Sequence, residues 1–306
     1  MNEVFDTIII GAGAAGLTAG IYASRAKLNT LILNEGAIGG QMVLTEEIAN
    51  YPGVPATKGY MLANNMKNQA KSFGCKIKSN IKIVKYQLEG DVKSIELEDG
   101  RVFQGRSVIL TPGGRPRSLN IEGETEFKGK GISYCATCDG DFFTGKEVVV
   151  VGGGNSALEE AVALTTYATK VTIVHQFDHF QAFKHAVEEA EKNPKINFIM
   201  ESELRGFYGD GSLQKVTIEH LPSGKMSELT TDGTFIFIGY QPNTEDLKEV
   251  VKLNERNEIV VDSDMKTNIK GVFAAGDCIT KRYRQVTTAV ADGTIAALSA
   301  SEFLRS

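Results

Sequence analysis

A four-residue strand, Thr7-Ile8-Ile9-Ile10, runs straight into Gly11-Ala12-Gly13-Ala14-Ala15-Gly16. This junction limits the possible folds more than any other feature of the chain. In a G-x-G-x-x-G loop the first glycine permits a tight turn. The second lets the backbone approach a pyrophosphate, and the third lets helix pack closely on strand. The helix expected from Ala14 to about Arg25 aims unpaired N–H groups and the positive end of its dipole at such a phosphate. A second strand, Thr30-Leu31-Ile32-Leu33, follows. Glu35 then stands at about the 20-residue spacing of a ribose-binding carboxylate. The loop alone does not separate FAD from NAD.

The plan recurs. Glu147-Val148-Val149-Val150-Val151 leads through Gly152-Gly153-Gly154 into a helical stretch from Asn155 to about Ala168. The strand Lys170-Val171-Thr172-Ile173-Val174 comes next. Short β-branched runs alternating with helices mark βαβ units with parallel strands. Each unit also has a later alternating, antiparallel-looking section. Ile83–Leu110 turns at Gly90-Asp91 and Asp99-Gly100, and Gly206–Ile238 turns near Ser223-Gly224 and Asp232-Gly233. Both sections end in Gly/Pro loops that mark domain crossings. The expected fold is therefore α/β, with two Rossmann-like, three-layer ββα dinucleotide-binding domains, the second inserted into the first. Residues 1–115 and 246–306 form one domain, and 116–245 the other.

With 306 residues the chain is long enough for two cores, and its 42% hydrophobic and 23% charged content is that of a soluble globular protein. No apolar run reaches the roughly 20 residues of a membrane span. The N-terminus lacks the pattern of a signal peptide, so a cytoplasmic address is expected. A net charge of −5 gives no reason to expect nucleic acid.

Of four cysteines, two form Cys135-Ala136-Thr137-Cys138. In a reducing compartment such a pair is redox-active or half of a metal site. Cys75 and Cys278 stand alone, and His175 and His179 have no cysteine near them in sequence, so no metal site is expected. Thiol–disulfide exchange needs one thiolate to attack and a second to resolve. Asp139, next in sequence, is placed to move the proton.

Ser133-Tyr134-Cys135-Ala136-Thr137-Cys138-Asp139-Gly140, both glycine loops and the late Gly271-Val272-Phe273-Ala274-Ala275-Gly276-Asp277 signature resemble the low-molecular-weight thioredoxin reductases over essentially the whole chain. The resemblance implies an FAD-dependent thioredoxin-disulfide reductase, a thioredoxin-like partner and a homodimer. Cys135 would attack the partner, Cys138 would face the flavin, and Asp139 would be the general acid. The FAD residues would be Gly11, Gly13, Ala14, Gly16, Glu35, Gly40, Gln41, Asn50, Gly276, Asp277, Arg284, Gln285 and Val286. Asp277 would hold the ribityl chain, and Arg284-Gln285-Val286 would lie near the ring. Because the dithiol and the second glycine loop share a domain, dithiol and nicotinamide would take turns at the flavin by domain rotation.

The second loop departs from that family's pattern. Gly152, Gly154, Asn155, Ser156 and Ala157 suit a pyrophosphate. However, NADPH selectivity needs cations for the 2′-phosphate at the end of the next strand. Where that family reads H-R-R-x-x-x-R, this chain reads His175-Gln176-Phe177-Asp178-His179-Phe180-Gln181. Histidine is kept, and Asp178 is available to a 2′-hydroxyl. The donors considered are NADH or NADPH, reduced ferredoxin, and a reduced deazaflavin. A related ferredoxin–NADP reductase is disfavoured by the dithiol, and a redox-sensing flavoprotein without turnover is the alternative of another class.

Overall fold

The computed structural model describes residues 3–45 and 47–305. The first segment runs β1 (Val4–Ile10), α1 (Ala14–Arg25), β2 (Thr30–Asn34), α2 (Gly59–Ser72), β3 (Lys76–Ser79), β4 (Ile83–Gln87), β5 (Lys93–Leu97), β6 (Val102–Leu110) and β7 (Gly114–Pro116). The middle opens with α3 (Glu124–Phe127), β8 (Ile132–Ser133), α4 (Ala136–Asp139), β9 (Glu147–Val151), α5 (Asn155–Leu164), β10 (Lys170–Val174), α6 (Lys184–Lys192) and β11 (Ile196–Ile199). It closes with β12 (Ser202–Asp210), β13 (Ser212–His220), β14 (Lys225–Thr230) and β15 (Gly233–Ile236). β16 (Tyr240–Pro242), β17 (Val272–Ala274) and α7 (Val286–Phe303) complete the chain.

Two compact units result, Met1–Arg115 with Gln241–Ser306, and Pro116–Tyr240. The second crossing falls at 240/241 and not at 245/246. The reason is local: Asn243 donates from its backbone N–H to Gly113 O and from Nδ2 to Pro112 O, and accepts from Arg115. The crossing strands β7 and β16 pair with each other.

In the first unit the sheet order is β3-β2-β1-β6-β5-β4, with β17 also on β6. β6 is long enough to serve two partners. Its start pairs antiparallel with β5, and its end pairs parallel with β17. Period-2 alternation sends Ile9, Ile32 and Ile109 to the face covered by α1, α2 and α7, and Ile8, Ile10, Val108 and Leu110 to the other. A parallel sheet buried on both faces has to read as a continuous apolar run, which is why the alternation is hard to see in β1.

The second unit has a five-stranded parallel sheet, β11-β10-β9-β15-β8, and an antiparallel meander, β12-β13-β14. Val148 and Val150 face the helical core, while Val149 and Val151 face the meander with Leu204, Phe207 and Val216. β15, expected within an antiparallel section, pairs parallel with β9 and β8. Helix α5 stops at Leu164, short of the expected Ala168. Thr165 Oγ1 donates to Val162 O at 2.7 Å, and the amides of Thr165 and Thr166 reach back only three residues. Such side-chain bonding competes with the helical ladder.

α7 lies against α1 through small residues. A Cβ built on Gly293 would sit 2.2 Å from Ala15 O, a backbone atom that cannot swing away. Overpacking of this kind typically costs about 1–3 kcal/mol. Gly293→Ala is expected to lower the melting temperature by several degrees in calorimetry, while Gly36→Ala, which meets nothing within 4 Å, leaves it unchanged.

Candidate active site

In the first unit the glycine loop is held by backbone contact. Gly11 has φ +103°, and a Cβ there would lie 2.2 Å from Thr111 O. On Gly16 it would lie 2.0 Å from Gly11 O. Gly13 is different: its Cβ would meet nothing within 4 Å, so the loop opens outward at that residue. Asn34 Oδ1 accepts from Ala12 N–H at 2.9 Å, and its Nδ2 donates to Gly36 O and Ala37 O. Thr111 Oγ1 donates to Ile10 O at 2.8 Å. Neither Asn34 nor Thr111 was identified from sequence; a polar residue ending an apolar strand was their only signal. Helix α1 starts at Ala14 with no side-chain cap, leaving its first N–H groups for an anion.

The other expected residues surround this opening unevenly. Gly40 packs against the loop, its Cβ position 3.2 Å from Gly13 Cα. Glu35 is exposed but already accepts from Ile83 N–H at 2.7 Å through Oε1. Gln41 is exposed. Asn50 Nδ2 meets Gln285 Oε1 at 3.4 Å, and Gln285 caps α7 in a reciprocal box with Thr288. Val286 is the first residue of α7. Arg284 pairs with Glu258, which is only 6% exposed, and donates from Nε to Asp277 O at 3.3 Å. Glu258 was not legible in the sequence.

Gly276 turns at φ +85°, its N–H donating to Asp292 Oδ2 at 3.2 Å; the same oxygen meets Lys281 Nζ at 2.5 Å. Asp277 Oδ1 is buried, and no described residue hydrogen-bonds to it. Burial lifts this carboxyl above its usual range; Lys281 and Arg284 pull the other way, and Asp292 adds to the rise. A buried acceptor without a donor is expensive. It fits a ligand hydroxyl, as the open face of Gly13 fits a phosphate. These residues suit FAD.

In the second unit Cys135 and Cys138 form a disulfide with Cα atoms 5.3 Å apart. Cys135 is the N-cap of α4, its Sγ accepting from Cys138 N–H at 3.2 Å. Helix N-termini favour thiolates. Asp139 Oδ2 accepts from Ser133 Oγ at 2.5 Å. Burial pushes the Asp139 carboxyl up, the Ser133 hydrogen bond lowers it, and Asp141 raises it. Tyr134 OH donates to Glu124 Oε1 at 2.7 Å, and Glu124 also accepts from Leu119 N–H and Asn120 N–H. Glu124 carried no recognisable pattern in the sequence, and Ser133 was legible only as a member of the stretch around the dithiol, without a role of its own. By contrast, burial raises the thiols of Cys75 to about 11 and Cys278 to about 12, which keeps both protonated.

The second glycine loop is clasped by the segment that follows β10. Gly152 turns at φ +134°, and a Cβ on Gly153 would strike the His175 ring at 2.4 Å. His175 is 5% exposed, donates from Nε2 to His179 O at 3.1 Å, and stacks on Phe180. Burial depresses its pKa, and the hydrogen bond to His179 O opposes the shift. Gln181 N–H donates to Gly153 O, and Phe183 N–H to Asn155 Oδ1. Ser156 is exposed and Ala157 buried. Gln176 is exposed, and Asp178 is bonded to its neighbour His179 at 2.6 Å.

This combination defines a disulfide oxidoreductase with a dinucleotide cofactor, and the comparisons agree. The pyridine nucleotide-disulphide oxidoreductase family matches residues 5–293. The chain belongs to that family and is an FAD-dependent enzyme acting on a disulfide. It is 46% identical over 303 residues to the "34.2 kDa protein in rubredoxin operon" of Clostridium pasteurianum, covering 99% of this chain and 98% of that one. It is 45% identical over 311 residues to the thioredoxin reductase of Peptoclostridium acidaminophilum, with the same coverage. The crystal structure of thioredoxin reductase from Streptococcus pyogenes matches with a TM-score of 0.95 at 38% identity, covering 100% of this chain and 99% of that one. Among the described residues no helix is long and apolar enough to cross a membrane.

Asp277→Asn is expected to weaken FAD binding, measured by flavin release, while stabilising the apoprotein. The folded-state pKa is raised, so the ionised carboxylate penalises folding as pH climbs above its unfolded value of about 3.9. The apoprotein melting difference should therefore be largest at neutral pH and close as pH falls toward that value.

Proposed function

We propose that this enzyme is a thioredoxin-disulfide reductase whose electron donor is a reduced ferredoxin-like protein. The observation carrying the first part is a disulfide at a helix N-terminus with the half-buried Asp139 next in the chain, its carboxylate fixed by Ser133. FAD, when bound by the first unit, would collect one electron from each of two reduced donor molecules and pass the pair to the dithiol. The residues that would hold it are Gly11, Gly13, Ala14 and Gly16 at the phosphates and Asp277 at the ribityl chain.

In the reduced enzyme, Cys135 gives its proton to Asp139 and attacks one sulfur of the thioredoxin disulfide. A mixed disulfide forms, and the departing thioredoxin sulfur takes the proton back from Asp139. Cys138 then yields its proton to Asp139 and attacks Cys135. The Cys135–Cys138 bond closes, and the second thioredoxin sulfur leaves with that proton. Two electrons and two protons pass to the partner.

The donor reading rests on the segment 175–181. A 2′-phosphate needs arginine-like partners, and Gln176, Phe177 and Gln181 offer none. The Asp178 carboxylate that a 2′-hydroxyl would need is engaged with His179. The name of the Clostridium pasteurianum relative, which sets it in a rubredoxin operon, supports a small iron protein as donor.

The test is anaerobic mixing of the FAD-loaded enzyme with NADPH, NADH or reduced ferredoxin, followed in the flavin's visible band. Ferredoxin is expected to bleach the flavin and both nucleotides to leave it oxidised; rapid bleaching by a nucleotide overturns the donor assignment. The triple variant Q176R/F177R/Q181R should accelerate NADPH-driven reduction at least about tenfold, since a charged hydrogen bond contributes about 1.5–3 kcal/mol.

A further inference from the structure

Ser133 ends β8 two residues before Cys135 and is 5% exposed, yet its hydroxyl is surrounded by partners. Oγ lies 2.5 Å from Asp139 Oδ2 and 3.3 Å from Cys135 O, and it accepts from Cys135 N–H at 3.1 Å. A serine hydroxyl has one hydrogen and two acceptor lone pairs, and the hydrogen rotates to suit. The two oxygen neighbours therefore compete for that hydrogen, and which one receives it depends on the charge of Asp139.

We propose that Ser133 Oγ is a positioning group that serves both protonation states of Asp139, so that the acid gives up and regains a proton without leaving a buried group unpaired. With Asp139 ionised, the hydroxyl hydrogen points to Oδ2. With Asp139 protonated, the carboxyl donates to Oγ and the hydroxyl hydrogen turns to Cys135 O. Throughout, the Cys135 N–H stays on Oγ, which keeps the attacking cysteine and the acid on one atom. The inference rests on the reading of Asp139 as the acid–base group of thiol exchange.

The charged surroundings are few. Asp141, in the turn after α4, adds to the burial that raises Asp139, and only the Ser133 hydrogen bond opposes it. On α5, the helix packed against α4, Glu160 is itself raised by burial and by Glu159. Tyr134 on the neighbouring strand end is turned to Glu124. Removing the hydroxyl thus takes away the interaction that favours the carboxylate, and the midpoint of Asp139 rises.

The experiment is an infrared difference titration of the FAD-loaded, disulfide-form enzyme against Asp139→Asn, reading the protonated-carboxyl band across pH. Ser133→Ala is expected to move the midpoint upward by about one pH unit, a charge-assisted hydrogen bond's worth. Ser133→Thr, which keeps the rotor, should restore it. Ser133→Gly removes the same hydroxyl without added volume and stands in if the alanine variant folds poorly. A midpoint in both hydroxyl-free variants that coincides with the parent's overturns the proposal. Thioredoxin reduction by the parent enzyme is measured alongside: its absence sinks the functional reading alone, because the titration requires no thioredoxin.

Discussion

Backbone touching backbone at the start of α1 is the contact on which the first unit depends. Gly16 lies against Gly11 O, Gly11 against Thr111 O, and Gly293 of α7 against Ala15 O. Each approach is closer than any side chain allows, so the first turn of the helix is gripped by the loop, by the end of β6 and by α7. Asn34 then ties the Ala12 amide to the end of β2, and Thr111, just after β6, holds the carbonyls of Ile10 and Gly11. The result is a rigid array of N–H groups with one unobstructed side at Gly13. Preorganised donors of this kind lose little on binding an anion, so such a loop suits a pyrophosphate without a single cation in it.

The same grip extends to Asp277. Gly276 turns beneath Ala15, and its amide is fixed by Asp292, which Lys281 neutralises. Asp277 is thereby aimed by its neighbours and left with an unused, buried oxygen. Two other buried carboxylates are satisfied, Glu124 by three donors and Glu258 by Arg284 and Asn254, whereas Glu160 Oε2 is buried without a donor as Asp277 Oδ1 is.

The four cysteines divide by the same physics. Cys75 and Cys278 sit in apolar surroundings that hold their protons. Cys135 and Cys138 are half-buried at a helix start, beside an acid whose pKa burial raises and the Ser133 hydrogen bond lowers. Around the second glycine loop, aromatic packing has taken the place of charge: His175 rests on Gly153, stacks on Phe180 and meets Phe177 edge-on.

Local patterns in the sequence determined the βαβ units, both glycine loops, the dithiol and the loss of arginines after β10, because each depends on residues close in the chain. Gly11 and Gly152 are legible since their turns favour glycine, and Gly16 because a Cβ there would strike Gly11 O. The reach of β6 to β17 and the parallel pairing of β15 were decided by tertiary structure, since an apolar strand carries no record of its partner's direction. So were Asn34 on the loop, Glu258 on Arg284, Glu124 on Tyr134 and Ser133 on Asp139. These are single polar residues whose meaning lies in a partner brought to them by folding. A lone serine before a cysteine has no pattern to read; at 2.5 Å from a buried carboxyl it has a role.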